Sequence, residues 1–112
     1  ARFSPVKAVN NHGATLLINR ENATVVDIRS QDEFAKGHLA GAHHLPLTQI
    51  QANNLGPVEK HKDAPIIVVC ESGMTAGGAG RQLSKAGFKQ VYVLSGGMAQ
   101  WRADNLPVTK KR

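Results

Sequence analysis

The sequence predicts a single α/β domain whose mainly parallel sheet is flanked by helices. Short β-branched runs at residues 24–28, 66–69 and 91–94 alternate with helical patterns, which is typical of repeated strand–helix units. The run at 66–69 is apolar on both faces, as expected for the central strand of a parallel sheet. The chain has 112 residues, which fits one domain over 1–112 and leaves no room for a second.

Each element has its own sequence signal. The predicted helices cover residues 4–19, 30–36, 76–86 and 98–103, and the predicted strands cover 24–28, 42–47, 66–69 and 91–94. The first helix would begin with Ser4 as its cap and Pro5 in its first position. Ser30, with Glu33 three residues later, predicts a capping box at the second helix. Residues 49–63 are polar, so we expect short helical turns and loop there.

The composition limits the classes of function. The formal net charge is +6, but few aromatic side chains interleave with the basic ones, so we expect no nucleic-acid binding. The single cysteine, Cys70, cannot form an internal disulfide, which favours a reducing, cytoplasmic location. No stretch approaches the roughly 18 to 20 apolar residues of a membrane span, so no membrane contact is expected of this segment. The 5 histidines lack the spacing of a metal site, and no metal is expected.

The position of Cys70 predicts a reactive thiol. Ligands of parallel α/β sheets bind beyond the carboxyl ends of strands, and Cys70 directly follows the central strand. A turn containing Gly73 can aim successive main-chain N–H groups at one anion, and the following helix adds a partial positive charge at its N-terminus. A thiolate held there ionises readily and is nucleophilic. The alternative is a cysteine that simply completes a buried strand.

Other glycine-rich or cysteine-based sites do not fit. A phosphate-binding P-loop needs Lys and then Ser or Thr after its second glycine, but Ala79 follows Gly78. A dinucleotide fingerprint would need glycine in place of Leu83. A cysteine phosphatase needs an arginine that closes the loop, whereas Thr75 stands there and Arg81 lies more than a helical turn further on. No cofactor is therefore expected.

Glycines are unusually frequent at the start of the helix that follows the loop. Gly77, Gly78 and Gly80 each cost about 1 kcal/mol relative to alanine in a helix interior. They indicate either close packing of this helix on the sheet or a mobile helix beside the site.

Three separated segments of the chain resemble the rhodanese family. They follow the family's order and spacing, and the recognisable core covers about residues 22–103, with a short basic tail at 107–112 whose last residues we expect to be disordered. The first segment carries two motifs, Val25-Val26-Asp27-Ile28-Arg29 and Gly37-His38-Leu39-Ala40-Gly41-Ala42, the second carries Val68-Val69-Cys70, and the third carries Leu94-Ser95-Gly96-Gly97-Met98.

The resemblance implies a Rossmann-like rhodanese fold and a sulfurtransferase activity. Cys70 would accept a sulfane sulfur as a persulfide and pass it to a thiophilic acceptor such as cyanide or a thiol. Donor and acceptor would be small molecules or proteins. The main-chain N–H groups of the loop would cradle the persulfide, and the loop consists of Glu71, Ser72, Gly73, Met74 and Thr75.

Four residues near the site are expected to be structural rather than catalytic. Asp27 and Arg29 would form a charge pair that braces the loop after the first strand. His38 would cap or bridge loops, and Trp101 would pack the last helix onto the sheet and border the site.

Glu71 departs from the family's common pattern. Many members carry a basic residue directly after the cysteine or near the end of the loop, where it would attract thiosulfate. A carboxylate at this position repels a dianion, by about 1 kcal/mol at 4 Å in water. We therefore expect poor use of thiosulfate and a physiological persulfide donor instead.

A second class of function stays open. The chain would then be a weakly active or inactive rhodanese-fold module that binds a protein partner through its basic C-terminal half. The pattern is also similar to small bacterial rhodaneses with an N-terminal membrane anchor. Because the chain begins with Ala1 rather than Met, an upstream anchor that tethers the domain to the inner membrane is compatible with the sequence.

Overall fold

A computed structural model describes residues 3–111 of the chain. The strands are β1 (Val6–Val9), β2 (Thr24–Asp27), β3 (His43–His44), β4 (Pro65–Val69) and β5 (Gln90–Leu94). The helices are α1 (Asn11–Glu21), α2 (Gln31–Lys36), α3 (Leu47–Gln51), α4 (Ala76–Lys85) and α5 (Gly97–Ala103), with a 3-10 helix at Gly56–His61.

The strands form one parallel sheet, which confirms the predicted fold class. Their order is β1-β5-β4-β2-β3, so β4 lies in the middle between β2 and β5. In the register of the sheet Val68 is aligned with Val26 on one side and with Val93 on the other. All five residues of β4 are buried, which explains the run that is apolar on both faces. The carboxyl end of this central strand carries Cys70.

Helices cover both faces of the sheet and create two apolar layers. Ile66 and Val68 of β4 point into one layer, together with Leu83 of α4. Ile67 and Val69 point into the other, which contains α1 and α5. Alternate residues of a strand face opposite sides, so one short run serves both layers. This packing holds the ends of β4, α4 and α5 together at one edge of the sheet.

The predicted first helix is wrong in its first half. Residues 6–9 form the edge strand β1, which pairs with β5, and α1 begins only at Asn11. Asn10 caps α1 by accepting a hydrogen bond from the Gly13 N–H at 2.8 Å, so Ser4 has no capping role. The spacing of the apolar residues in this segment suits a helix as well as a strand. Its pairing with a distant strand, β5, makes it a strand.

The remaining predicted elements are present with small shifts of their ends. Ser30 and Glu33 form the predicted capping box of α2. The extended run at 42–47 contains only the two-residue strand β3, and α3 with the 3-10 helix occupies the polar stretch that follows. Among residues 3–111 no helix has both the length and the apolar character needed to cross a membrane.

The C-terminal tail is bound to the domain, contrary to the expectation of disorder for the part that the structure describes. The Trp101 Nε1–H donates to the Pro107 carbonyl at 2.9 Å. His38 and Thr109 exchange two main-chain hydrogen bonds, of 2.9 and 2.8 Å. These bonds connect the tail with the loop after α2. Because the bonded residues are about seventy positions apart, no local sequence pattern predicts this pairing. Arg112 lies outside the described residues.

Candidate active site

The loop after β4 surrounds the Cys70 sulfur with hydrogen-bond donors. Cys70 follows the last residue of β4, and α4 begins six residues later at Ala76. The Gly73 N–H donates to Cys70 Sγ at 3.0 Å, which is short for a hydrogen bond to sulfur. Thr75 is the N-cap of α4 but makes no side-chain capping bond within the helix. Its hydroxyl contributes to lowering the pKa of Cys70.

These donors lower the pKa of Cys70. Burial by itself raises the pKa of a thiol, because it disfavours the thiolate. Hydrogen bonds from the Thr75 hydroxyl and from the main-chain N–H groups of Thr75, Ala76 and Gly73 outweigh burial and bring the pKa below its ordinary value. The first turn of α4 contributes its partial positive charge in the same direction. Cys70 is therefore a thiol that ionises more readily than a free cysteine.

The sulfur lies directly beneath a surface loop. Cys70 is only 2 % exposed, whereas Met74 is 83 % exposed and the neighbouring Ser72 and Thr75 are also exposed. The donors face the sulfur rather than solvent, so its environment differs from that of a cysteine packed only against hydrocarbon.

Glycines allow the loop and α5 to lie in direct contact. Gly73 has φ +86°, and a Cβ on it would lie 2.8 Å from the main-chain nitrogen of Gly96. Gly97 has φ +57°, and its Cβ would collide with the Cys70 carbonyl oxygen. The Met98 N–H donates to this same carbonyl at 2.9 Å. The backbone of α5 thus supports the loop from below, and side chains at these glycines would push the two apart.

The Glu71 side chain is paired with two arginines. Its carboxylate accepts a hydrogen bond from Arg102 of α5 and lies 3.4 Å from Arg29 Nη1. The hydrogen bond from Arg102 lowers the pKa of Glu71, and the charge of Arg29 acts in the same direction. The expected repulsion of anions assumed an unpaired carboxylate. In the structure the carboxylate is paired with Arg102 and lies beside Arg29, whose charge it shares with Asp27, so its repulsion of an anion is weaker than that of a free carboxylate.

Asp27 and Arg29 form a buried ion pair at the end of β2. Arg29 Nη2 donates to the Asp27 carboxylate at 2.8 Å and to the Gly37 carbonyl at 2.7 Å, and the two side chains are 1 % and 3 % exposed. Burial acts to lower the pKa of Arg29, but its hydrogen bond and charge interaction with Asp27 raise it above the ordinary value. The pair connects β2, the end of α2 and, through Glu71, the loop.

His38 and Trp101 contact main chain rather than the sulfur. His38 is buried, stacks on the Phe34 ring at 3.6 Å, and places Nδ1 2.7 Å from the Phe34 carbonyl oxygen and Nε2 beside that of Lys111. It bridges α2 and the C-terminal tail. Trp101 packs in the layer between α5 and the sheet. Neither contact involves Cys70.

A cleft of about 460 Å³ adjoins the loop on the Glu71 side. It is lined by Arg29, Glu33, Lys36, Gly37, Glu71, Arg102 and Val108. Three basic and two acidic side chains line it, so it suits a polar rather than an apolar molecule. Within residues 3–111 no group of three or more His, Cys, Asp or Glu side chains is placed to hold a metal ion.

Arg102 is the residue near the site that sequence reasoning missed. It follows Trp101 in α5, and the resemblance had already placed that segment beside the active site. A basic residue in that segment was the sequence signal that could have identified Arg102 as a residue near the site. Because Arg102 and Glu71 are 31 residues apart, the sequence did not predict their ion pair.

The fold and this site define a class of protein: a parallel α/β domain with an activated cysteine in a ring of donors after its central strand. The model of the rhodanese-like domain matches residues 12–104, and the chain belongs to this family.

The chain is also similar to individual proteins. The chain is 50 % identical over 107 residues to the uncharacterized protein YibN of Escherichia coli, covering 96 % of this chain and 75 % of YibN. It is 30 % identical over 97 residues to the thiosulfate sulfurtransferase GlpE of Coxiella burnetii, covering 87 % and 88 % of the two chains. A rhodanese-related crystal structure from Thermoplasma volcanium superposes with a TM-score of 0.76 at 24 % identity, covering 94 % and 99 %.

Proposed function

We propose that the chain is a sulfurtransferase or sulfur carrier that holds a persulfide on Cys70. The observation that carries the proposal is the hydrogen bond of 3.0 Å from the Gly73 N–H to the Cys70 sulfur, and the Thr75 and Ala76 donors also lower the pKa of Cys70. A ring of donors around a sulfur atom stabilises negative charge on it. The terminal sulfur of a persulfide is also an anion and would be held by the same groups.

The transfer has two steps. In the first, the Cys70 thiolate attacks the outer sulfur of a sulfane donor, a new S–S bond forms, and the old bond breaks with its electron pair leaving on the rest of the donor. With thiosulfate the leaving group is sulfite. In the second, a thiolate or cyanide attacks the terminal sulfur of the persulfide, and the electron pair of the broken S–S bond returns to Cys70. No external oxidant or reductant is needed.

The donor includes thiosulfate in this proposal. Glu71 is paired with Arg29 and Arg102, so its repulsion of an anion is weaker than that of a free carboxylate. A relative of 30 % identity carries the name thiosulfate sulfurtransferase, which supports the same donor. The acceptor would be a small thiol or a protein thiol. A cytoplasmic location suits this chemistry, because a reducing compartment keeps a lone cysteine free.

Intact-mass spectrometry tests the proposal. The reduced protein is incubated with thiosulfate or with an organic persulfide, and the expected product is heavier by about 32 Da, the mass of one sulfur atom. Cyanide should remove this mass and yield thiocyanate in equal amount. Cys70→Ser is the control and should gain no mass under the same conditions.

The alternative of a binding module makes the opposite prediction. Cys70 would then gain no sulfur from any donor, and its pKa would equal that of a free cysteine. The observation that favours the binding module is the low exposure of Cys70, 2 %, because a module without chemistry needs no access to the sulfur. A measured pKa below the free value together with a persulfide adduct would rule this alternative out.

A further inference from the structure

Two glycines at the start of α4 have no neighbouring element to explain them. A Cβ on Gly80 would lie 3.0 Å from the Val6 side chain, so that glycine permits close packing of α4 on the sheet. Gly77 and Gly78, unlike Gly80, are not packed against the sheet. A Cβ on either would have only the guanidinium of Arg81 within 4 Å, at 3.5 and 3.8 Å. The glycines leave the surface of the first turn bare, and the guanidinium lies along it.

The Arg81 side chain points back toward the loop. Side chains of a helix lean toward its N-terminus, which brings the guanidinium one turn back, beside Gly77 and Gly78. Ala76, the residue before them, begins α4, and its main-chain N–H lowers the pKa of Cys70. The charge of Arg81 thus lies beside the first turn of α4, next to the loop that carries Cys70. The backbone of Arg81 itself lies in the middle of the helix.

Within the described part of the chain no carboxylate forms an ion pair with Arg81. Among residues 3–111 the ion pairs involve other basic side chains, and Arg81 is exposed. A cation beside the N-terminus of a helix is repelled by the partial positive charge there. The arrangement becomes favourable when an anion is bound at the loop. Glu71 does not serve as that anion, because its carboxylate is paired with Arg29 and Arg102.

We propose that Arg81 is a specificity-determining residue that favours anionic sulfur donors, such as thiosulfate, at Cys70. It supplies from the helix the basic group that the loop itself lacks. This inference rests on the proposed function, since it concerns the donor of the same site. In the transfer step Arg81 attracts the anionic donor to the loop, and it forms no bond to sulfur.

The first experiment measures the potential at the sulfur without any sulfur transfer. Iodoacetate and iodoacetamide both alkylate a thiolate and are similar in size, but only iodoacetate is an anion, so the ratio of their rates reports the field at Cys70. At low ionic strength Arg81→Gln should lower this ratio by about threefold, and the effect should shrink at high salt. Arg81→Lys should retain most of the ratio.

Lys85→Gln is the matched control. Lys85 is an exposed cation in the same helix, at its far end, so its loss changes net charge equally. It should leave the alkylation ratio unchanged. A ratio that falls equally in Arg81→Gln and Lys85→Gln, or in neither, would overturn the proposal.

The second experiment uses the sulfur transfer itself. With thiosulfate as donor, Arg81→Gln should raise KM by about threefold with little change in kcat, because the lost interaction is with the approaching anion. A fall in kcat at constant KM would contradict the assigned role. If the chain forms no persulfide at all, the proposed function fails, while the alkylation ratio still decides whether Arg81 shapes the field at Cys70.

Discussion

Replacing Gly73 with alanine should raise the pKa of Cys70 and slow its alkylation at neutral pH. Gly73 has φ +86°, and a Cβ there would lie 2.8 Å from the main-chain nitrogen of Gly96. Gly96 precedes α5, whose backbone is hydrogen-bonded to the carbonyl oxygens of Cys70 and Glu71. Because the obstacle is backbone held by these bonds, the loop has to shift. The Gly73 N–H would then leave the sulfur.

The magnitude follows from that one hydrogen bond. A hydrogen bond to a charged group contributes about 1.5–3 kcal/mol, and one pKa unit corresponds to about 1.4 kcal/mol. We expect a rise of about one pKa unit, since water replaces part of the lost bond. At pH values below both pKa values the thiolate population, and with it the alkylation rate, would fall about tenfold. Alanine in the left-handed region also destabilises the fold by about 1–2 kcal/mol.

The pH dependence of iodoacetamide alkylation measures the pKa, and Gly41→Ala provides the matched control. Gly41 also has positive φ, +77°, but a Cβ there would have nothing within 4 Å. Both variants should unfold at lower urea concentration, because both carry the same backbone strain. Only Gly73→Ala should shift the pKa of Cys70. An equal shift in both variants, or none in Gly73→Ala, would refute the role assigned to the Gly73 N–H.

Three further outcomes are expected. Asp27→Asn should lower the free energy of unfolding in urea by about 3–5 kcal/mol, because it leaves the buried Arg29 charge unpaired; Asp63→Asn, which loses only an exposed ion pair, should have little effect. The fold lowers the pKa of Cys70, so relative to Cys70→Ser the wild type should gain stability as pH rises toward 9.0, and lose that gain as pH falls through the folded pKa; a stability difference that is constant with pH would argue against a stabilised thiolate. Glu71→Gln should lower the KM for thiosulfate, because it frees a half-exposed arginine of α5 beside the loop; a higher KM would show that the Glu71 pairing instead maintains the loop geometry.

The local elements around the site could be predicted because their signals are local. The β-branched run of β4, the cysteine after it and Gly73 in the loop lie within a few residues of one another, and each favours the structure that it adopts. The capping box at α2 is equally local. The segment at 6–9 could not be predicted in the same way, since only its pairing with β5 makes it a strand.

The sequence by itself determined the class of fold and the strand–loop–helix in which Cys70 follows the central strand, because these depend on neighbours in the chain. Tertiary structure decided the electrostatics of the site. Arg102 reaches Glu71 across 31 residues, and the guanidinium of Arg81 lies beside Gly77 only because the side chain turns back along its helix. A charge acts through space rather than along the chain, so its effect on the Cys70 sulfur depends on where the folded backbone places it.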